Sequence, residues 1–528
     1  MRNKIESNLR GASYIILAVS AAAAIWAVTR GLEKPLLGPH SFRQTQTAIS
    51  AYYMADDPAM FLDYITPVLG PPWRIPMELP VFQWIVARFH QLSGIELDIC
   101  GKLVSIAAWL LCMVPLASIT RSLQLPREVR LLTVAIALSS PLYLFWGAAF
   151  LIETTGVLCA LCMVASALCA RESPSWKWLL IALAAGTIAS TVKATTWAVA
   201  AGTGLLLVLF YDGIPRLADW KKFVPPIIAL LLPLIPGKLW LAYGDSIKQA
   251  NPFAREIILA SSPKQAAWNF GTLEQKLDPE TWQIIFRHIL EQLLVPFPIL
   301  GPWFLVIVLA AGAALAPRRI PLLFALLAGF ASGPIVFTNL YFEHSYYWCA
   351  NGIWLLLATG VALGGIWEGT PKPGPKIACL ILTIGISASG FITWSQRFLP
   401  IINSLPTRDA LAEAWTLPIQ KMVPEGRTLL IVGNDWNPNS VYYAKRKGLA
   451  FPAADWIPFP GAQLDRFFAL LNEGETLGGV IISPRLLDDK NQGFWNEFLR
   501  DKHISTQGTP TAFGVLFPSS DFHSTGIP

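Results

Sequence analysis

Charge is scarce in this chain. Asp, Glu, Lys and Arg make up 14% of its 528 residues, against about 25% in an ordinary soluble domain. Hydrophobic side chains fill 54% and the mean hydropathy is +0.48, which excludes a soluble protein of this size and points to a polytopic membrane protein. The net charge is only +6. Its basic residues are scattered through short connectors, so a nucleic-acid footprint is excluded. Histidine is limited to six residues, and none stand in an H-x3-H spacing; His90, His288, His503 and His523 show no partner spacing. The cysteines, Cys100, Cys112, Cys159, Cys162, Cys169, Cys349 and Cys379, all lie in or beside apolar segments, which excludes a disulfide framework. Cys159 and Cys162 form a C-x2-C, but inside an apolar span such residues pack rather than ligate. A G-x-G-x-x-G cradle is missing, internal repeats and low-complexity tracts are absent, and the first apolar run lacks the A-x-A exit of a cleaved signal peptide.

What is present is a series of apolar runs near the ~20 residues that a bilayer requires. The first covers about 11–30. Others follow at about 99–120, 130–149, 152–170, 178–192, 194–212, 223–241, 289–314, 320–338, 347–366 and 377–395, about eleven in all. Residues 79–94 are apolar but short and hold Arg88 and His90, which reads as a helix along the interface. One set of connectors is short and basic: Arg121/Arg127/Arg130, Arg171/Lys177, Arg216/Lys221/Lys222, Arg318/Arg319 and Lys372/Lys376. These belong with the N-terminus on the cytoplasmic side. An odd number of spans then puts the C-terminus outside. The expected division is a transmembrane domain over 1–399, with a large first outer loop at 31–98, and an extracytoplasmic α/β domain over 400–528. In the latter, Arg427–Gly433 and Leu477–Ser483 read as buried strands, and Pro438–Gly448 and Ala462–Asn472 as helices. Gly433-Asn-Asp-Trp-Asn is no phosphate cradle, so this domain is assigned no nucleotide.

The chemistry-bearing residues gather at one expected side. His40-Ser-Phe-Arg-Gln-Thr-Gln-Thr-Ala48 follows the first span. Ser41 and Gln44 have the spacing of a capping box, and a helix there aligns Arg43, Thr47 and Ser50 on one face. The loop runs on through Asp56, Asp57 and Asp63, which read as solvated carboxylates, to Met77-Glu-Leu-Pro80. Loops of this length are functional or disordered, and its aromatic residues and prolines argue against disorder. Glu153 opens the fourth span, Lys193 opens the sixth, and Tyr341-Phe-Glu-His-Ser-Tyr-Tyr347 sits at the outer end of the tenth. Ionisable groups at membrane depth are costly and face cavities. Bland readings stand beside these: Glu78 as a helix cap, Lys193 as a snorkelling anchor, His344 and Tyr347 as an aromatic belt. Acids with Lys, Arg and His suit displacement at a sugar carbon with a lipid phosphate leaving. A carboxylate takes the acceptor proton and cations take the phosphate charge.

These residues support a resemblance. The chain resembles bacterial members of the GT-C glycosyltransferase superfamily, nearest the branch of dolichyl-phosphate-mannose protein mannosyltransferases and the aminoarabinose lipid A transferase. The carriers are the first span with its large outer loop, His40–Ala48, Met77-Glu-Leu-Pro-Val-Phe-Gln83, the Glu153 segment, Lys193 and His344-Ser-Tyr-Tyr347. The resemblance covers the membrane region and implies a polytopic α-helical GT-C fold with an outer α/β domain. It implies a polyprenyl-phosphate sugar donor, a lipid, glycan or protein acceptor, contact with membrane lipids, and the inner (plasma) membrane of a bacterium. It gives Glu78, Glu153 and His40 as catalytic candidates and Arg43, Lys193, His344 and Tyr347 as donor-phosphate candidates. Family members often bind a divalent metal near the loop acids; none of its ligands is named here, and no other cofactor is expected. One position departs from the pattern. Related sequences often carry Asp where this chain has Gln46, and an amide is no general base. A transporter or flippase of lipid-linked sugars and a non-catalytic GT-C-like subunit remain as rivals, as does a ligase moving a whole glycan. The transporter is disfavoured because the charged groups gather at one face and no repeat is visible.

Overall fold

The computed structural model describes residues 2–57, 59–213, 219–293, 300–369, 371–451, 461–471, 476–488 and 492–520. Arg216, Asn472 and His523 lie outside them. The chain divides into two compact units. The first comprises Met1–Leu32, Lys102–Leu241 and Pro263–Asn403; the second comprises Glu33–Gly101, Ala242–Ser262 and Ser404–Pro528.

Among the described residues, 7 helices are long and apolar enough to cross a bilayer: Ile5–Thr29, Leu97–Ser122, Glu153–Glu172, Trp220–Lys248, Pro317–Val336, Ser345–Glu368 and Pro373–Ser404. Shorter apolar helices cover Trp176–Val192, Ala194–Leu209 and Trp303–Leu315. The run expected at 130–149 is interrupted, forming helices Arg127–Leu138 and Pro141–Trp146. Pro141 is the cause: Ser140 before it is extended, at φ −67° and ψ 123°, as the ring of a following proline demands. The run expected at 289–314 lies partly in Pro279–Gln292 and partly in Leu300–Leu315, with 294–299 outside the described residues.

The helical unit is organised around Trp348–Glu368. Every residue from Trp348 to Trp367 is buried, as befits a helix apolar on all sides. Small residues let its neighbours approach. A Cβ on Gly312 would lie 2.5 Å from Ala362 Cα, and one on Gly360 would lie 2.3 Å from Thr133 Oγ1. Such small-residue seams give membrane helices their close packing. Asn351 adds a polar tie, its Nδ2 donating to the carbonyls of Gly329 and Phe330 at 3.0 and 2.8 Å. Its Oδ1 accepts from the Tyr341 hydroxyl.

The second unit holds a 5-stranded sheet. Its strands are β1 (Thr428–Val432), β2 (Gly448–Ala450), β3 (Leu477–Ile482), β4 (Thr509–Thr511) and β5 (Gly514–Pro518), in the order β2-β1-β3-β5-β4. The β2, β1 and β3 strands run parallel, with Leu430 paired to Leu449 and to Val480. The β5 strand is antiparallel to both β3 and β4. All of β1 is buried, which explains its unbroken apolar sequence. The expected helices are present as Asn439–Ala444 and Gly461–Leu471.

The first loop belongs to this unit. Its segment 67–70 runs beside the free edge of β2: Gly448 N donates to Pro67 O at 3.1 Å, Ala450 N to Val68 O at 2.8 Å and Gly70 N to Gly448 O at 3.2 Å. Covering an edge this way satisfies backbone groups that would otherwise be open to pairing. Asn251 Nδ2 donates to the carbonyls of Leu69, Gly70 and Pro72. Two helices complete the loop, Ser41–Asp56 and Val81–Ser93. Gly94 ends the second at φ 68°, its N–H on His90 O, the left-handed stop that glycine permits.

Candidate functional site

The helix Ser41–Asp56 is entered differently from the capping-box expectation. Its N-cap is His40, at φ 53°, without a side-chain cap. The His40 carbonyl accepts from Arg43 N and Gln44 N at 3.0 and 3.2 Å, and Ser41 N donates to Gly38 O. Gln44 Nε2 turns back to Pro39 O at 3.1 Å. His40 thus sets the turn through its backbone, and Ser41 is the first helical residue.

Arg43, one turn in, makes a forked contact. Nη2 donates to Glu78 Oε2 at 2.7 Å and Nη1 to Gln46 Oε1 at 2.5 Å. The Arg43 and Glu78 side chains are 17% and 9% exposed. Gln83 Nε2 donates to the other carboxylate oxygen, Glu78 Oε1, at 2.6 Å. The amide at the position of the departure is therefore an acceptor for Arg43. Tyr64 fixes the backbone here: its hydroxyl donates to Glu78 O at 2.8 Å and accepts from Met77 N at 2.7 Å. Burial, reinforced by the Glu78 carboxylate, holds the Tyr64 phenol well above its ordinary value of 10.0.

In the helical unit a second pair is buried more deeply. Lys193 Nζ donates to Glu153 Oε1 at 2.5 Å, with side chains 9% and 2% exposed. Glu153 begins its helix, where a carboxylate is favoured by the helix dipole. Lys193 occupies the break between Trp176–Val192 and Ala194–Leu209, at φ −148° and ψ 83°. Its ammonium lies 4.2 Å from the Tyr347 ring centroid and 5.3 Å from that of Tyr346, within cation–π range. His344 stacks on Tyr346 and Tyr347, at 5.3 and 6.0 Å between centroids, and meets the edge of Trp268 at 6.0 Å. Three buried oxygens of the pair or close to it in sequence have no hydrogen-bond partner: Glu153 Oε2, Thr154 Oγ1 and Thr195 Oγ1. Buried polar atoms are ordinarily satisfied, so these are the exceptions around the ion pair.

The sequence-derived candidates thus fall into two constellations, each within one unit. Arg43 and Glu78 meet in one, next to His40; Glu153, Lys193, His344 and Tyr347 meet in the other. Asp63 is taken by Arg74 and Asp57 accepts from Ala59 N, while Asp56 is exposed. Among the described residues no three His, Cys, Asp or Glu side chains converge as a metal site requires. Sequence reasoning missed Tyr64, Gln83 and Trp268. Gln83 was within reach, because Glu78 and Gln83 bracket the first turn of a helix; the Tyr64 and Trp268 contacts arise only from the folding of their loops.

A family model described as dolichyl-phosphate-mannose-protein mannosyltransferase matches residues 75–240. The structure is similar to ArnT from Cupriavidus metallidurans bound to undecaprenyl phosphate, at 14% identity and a TM-score of 0.55, covering 98% of this chain and 99% of that one. The chain has the GT-C fold. Its mostly helical body with a small C-terminal sheet domain is the architecture the sequence implied. The oligosaccharyltransferase from Archaeoglobus fulgidus is also similar, at 11% identity and a TM-score of 0.48, over 97% of this chain and 74% of that one. Arabinofuranosyltransferase AftD from Mycobacteria gives 15%, 0.48, 88% and 36% for the same quantities. No curated protein matches the sequence.

Proposed function

We propose that this protein transfers a sugar from a polyprenyl-phosphate donor to a hydroxyl-bearing lipid, glycan or protein on the outer face of a bacterial inner membrane. The observation that carries the reading is Glu153 Oε2, buried without a partner while Oε1 is held by Lys193. Support comes from the family model over 75–240, which spans both Glu78 and Glu153, and from the fold shared with ArnT.

In this reading the acceptor hydroxyl attacks the anomeric carbon. The new carbon–oxygen bond forms as the bond from that carbon to the donor phosphate breaks. The hydroxyl proton passes to Glu153, and polyprenyl phosphate leaves with the bonding pair. An ammonium has three N–H donors, so Lys193 can hold Glu153 and a phosphate oxygen together. This offsets the charge developing on the leaving group. His344 and Tyr347 border the same cation and orient the donor. In the other unit, Arg43 is a candidate phosphate ligand, held by Glu78 and Gln46. Glu78 ranks behind Glu153 as base, because each of its oxygens already accepts a hydrogen bond; His40 assists through the turn that starts the Arg43 helix.

A second reading, a GT-C-like subunit that binds lipid-linked sugar without turnover, is favoured by Gln46, an amide bound to Arg43. The test is transfer by purified protein in lipid, with a panel of labelled polyprenyl-phosphate sugars and a membrane extract as acceptor. Turnover that disappears in Glu153→Gln, with folding retained, supports Glu153 as base. Loss confined to Glu78→Gln moves the base there. Donor binding that depends on Lys193, without turnover of any donor, favours the non-catalytic subunit.

A further inference from the structure

The C-terminal sheet domain reaches the first loop at a defined point. Asn439, the first residue of the short helix after β1, is 8% exposed. Its side-chain amide straddles the first turn of the helix Ser41–Asp56. Nδ2 donates to Ser41 Oγ at 2.9 Å, and Oδ1 accepts from Thr45 Oγ1 at 2.7 Å. The Thr45 hydroxyl also lies 2.9 Å from Ser41 O, so its single proton is shared between that carbonyl and the nearer Asn439 Oδ1. Asn439 is itself seated: its N–H donates to Asn437 Oδ1 at 3.0 Å, and Trp415 Nε1 donates to the next carbonyl, Ser440 O, at 3.2 Å. Beside it, Trp436 meets Phe42 edge to face at 4.6 Å.

The residues so gripped, Ser41, Phe42 and Thr45, flank Arg43 on the same turn. His40 gives that turn no side-chain cap; its Ser41, Arg43 and Gln44 amides bond the Gly38 and His40 carbonyls, and Asn439 adds the side-chain grip. The loop's other arm is also tied to the sheet, through 67–70 on β2, and then to Glu78 through Thr66 and Tyr64. Thr66 Oγ1 donates to Ile75 O, and the Tyr64 hydroxyl bonds Met77 and Glu78. Both halves of the Arg43–Glu78 pair are therefore referenced to one sheet.

We infer that Asn439 is a positioning residue: the C-terminal domain uses its amide to lock the first turn of the loop helix and so to aim Arg43. This deepens the proposed transferase reading and rests on it. Misplacing a charge-stabilising group by about 1 Å costs up to about 100-fold in rate, so the loss falls on kcat.

The test uses the full-length protein in lipid nanodiscs, with the donor that the wild type turns over. Asn439→Ala should lower kcat about 10- to 100-fold, leave KM within about threefold, and strip hydrogen-exchange protection from amides 43–47. Asn439→Asp should restore most of both, because the Ser41 and Thr45 hydroxyls can each donate to a carboxylate oxygen. Asn434→Ala removes an amide that donates to Phe513 O within the same domain and should behave as wild type. The inference is overturned if Asn439→Ala keeps wild-type kcat, if its exchange protection is unchanged, or if Asn434→Ala loses as much. Should the wild type turn over no donor, the transferase reading fails separately; exchange then decides alone, with retained protection overturning the lock and lost protection supporting it.

Discussion

Replacing Lys193 with Met strips the cation from a pair whose side chains are 9% and 2% exposed and 2.5 Å apart. Glu153 is then left buried with neither oxygen paired. Breaking a buried pair from one side costs about 3–5 kcal/mol. The lost stacking over Tyr347 is worth about 1–2 kcal/mol where desolvated, and it overlaps the first figure rather than adding to it. Glu153→Gln should cost less, because the amide oxygen can still accept from the Lys193 ammonium. The double variant, Lys193→Met with Glu153→Gln, carries no buried charge, so it should recover most of the loss, with a coupling of about 2–3 kcal/mol. The assay is chemical unfolding in mixed micelles for the four proteins, repeated with undecaprenyl phosphate. The lipid should stabilise only the wild type and Glu153→Gln, which keep the cation. A double variant as unstable as the two single losses summed, or a Lys193→Met protein as stable as wild type, would refute the reasoning.

Three further outcomes follow from the same geometry. Arg43→Lys should lower transfer about 10- to 100-fold, because a lysine point charge cannot fork between Gln46 and Glu78 as a guanidinium does; steady-state kinetics checks it, and near-wild-type kcat would contradict it. Gly156→Ala should cost about 1–3 kcal/mol and shift Lys193, since the new Cβ would sit 3.0 Å from Lys193 Cβ, an atom that cannot rotate away; unfolding midpoints and kcat read both effects. Tyr64 has a folded-state value raised above its ordinary one, so it adds stability that is fully present below about pH 10 and is lost as pH climbs through the folded value. Tyr64→Phe should therefore flatten the alkaline fall in stability by up to about 1.4 kcal/mol per pH unit, measured by unfolding across the alkaline range. Tyr442 and Tyr443, raised mainly by burial and by Asp98, contribute to the slope that remains.

The legibility of the chain differed by element. The apolar runs announced most membrane helices because hydropathy over a helix length is a local property. Ser139-Ser140-Pro141 broke one run, and that proline was readable in advance. The buried strands β1 and β3 were visible as continuous apolar segments. The short β2 and β4 were not, since three residues carry no period. Glu153 and Lys193 stood out because charge is expensive in apolar sequence, but their mutual contact was invisible: they lie on different helices. Arg43 was read as a phosphate ligand, whereas its link to Glu78 and Gln46 depends on how the loop folds back. The capping box misled because His40 takes a left-handed turn and starts the helix one residue early. Asn439 gave no signal, as nothing local ties it to a helix nearly 400 residues earlier.

The most direct measurement of the central claim uses a donor labelled separately in its sugar and in its phosphate. Purified protein in sealed vesicles is given this donor and an acceptor extract, and the fate of both labels is followed. The account predicts that they part, with sugar appearing on acceptor in equal amount to polyprenyl phosphate released, and that Glu153→Gln keeps them together. Labels that stay on one molecule in the wild type while that molecule changes leaflet would contradict a transferase and identify a transporter.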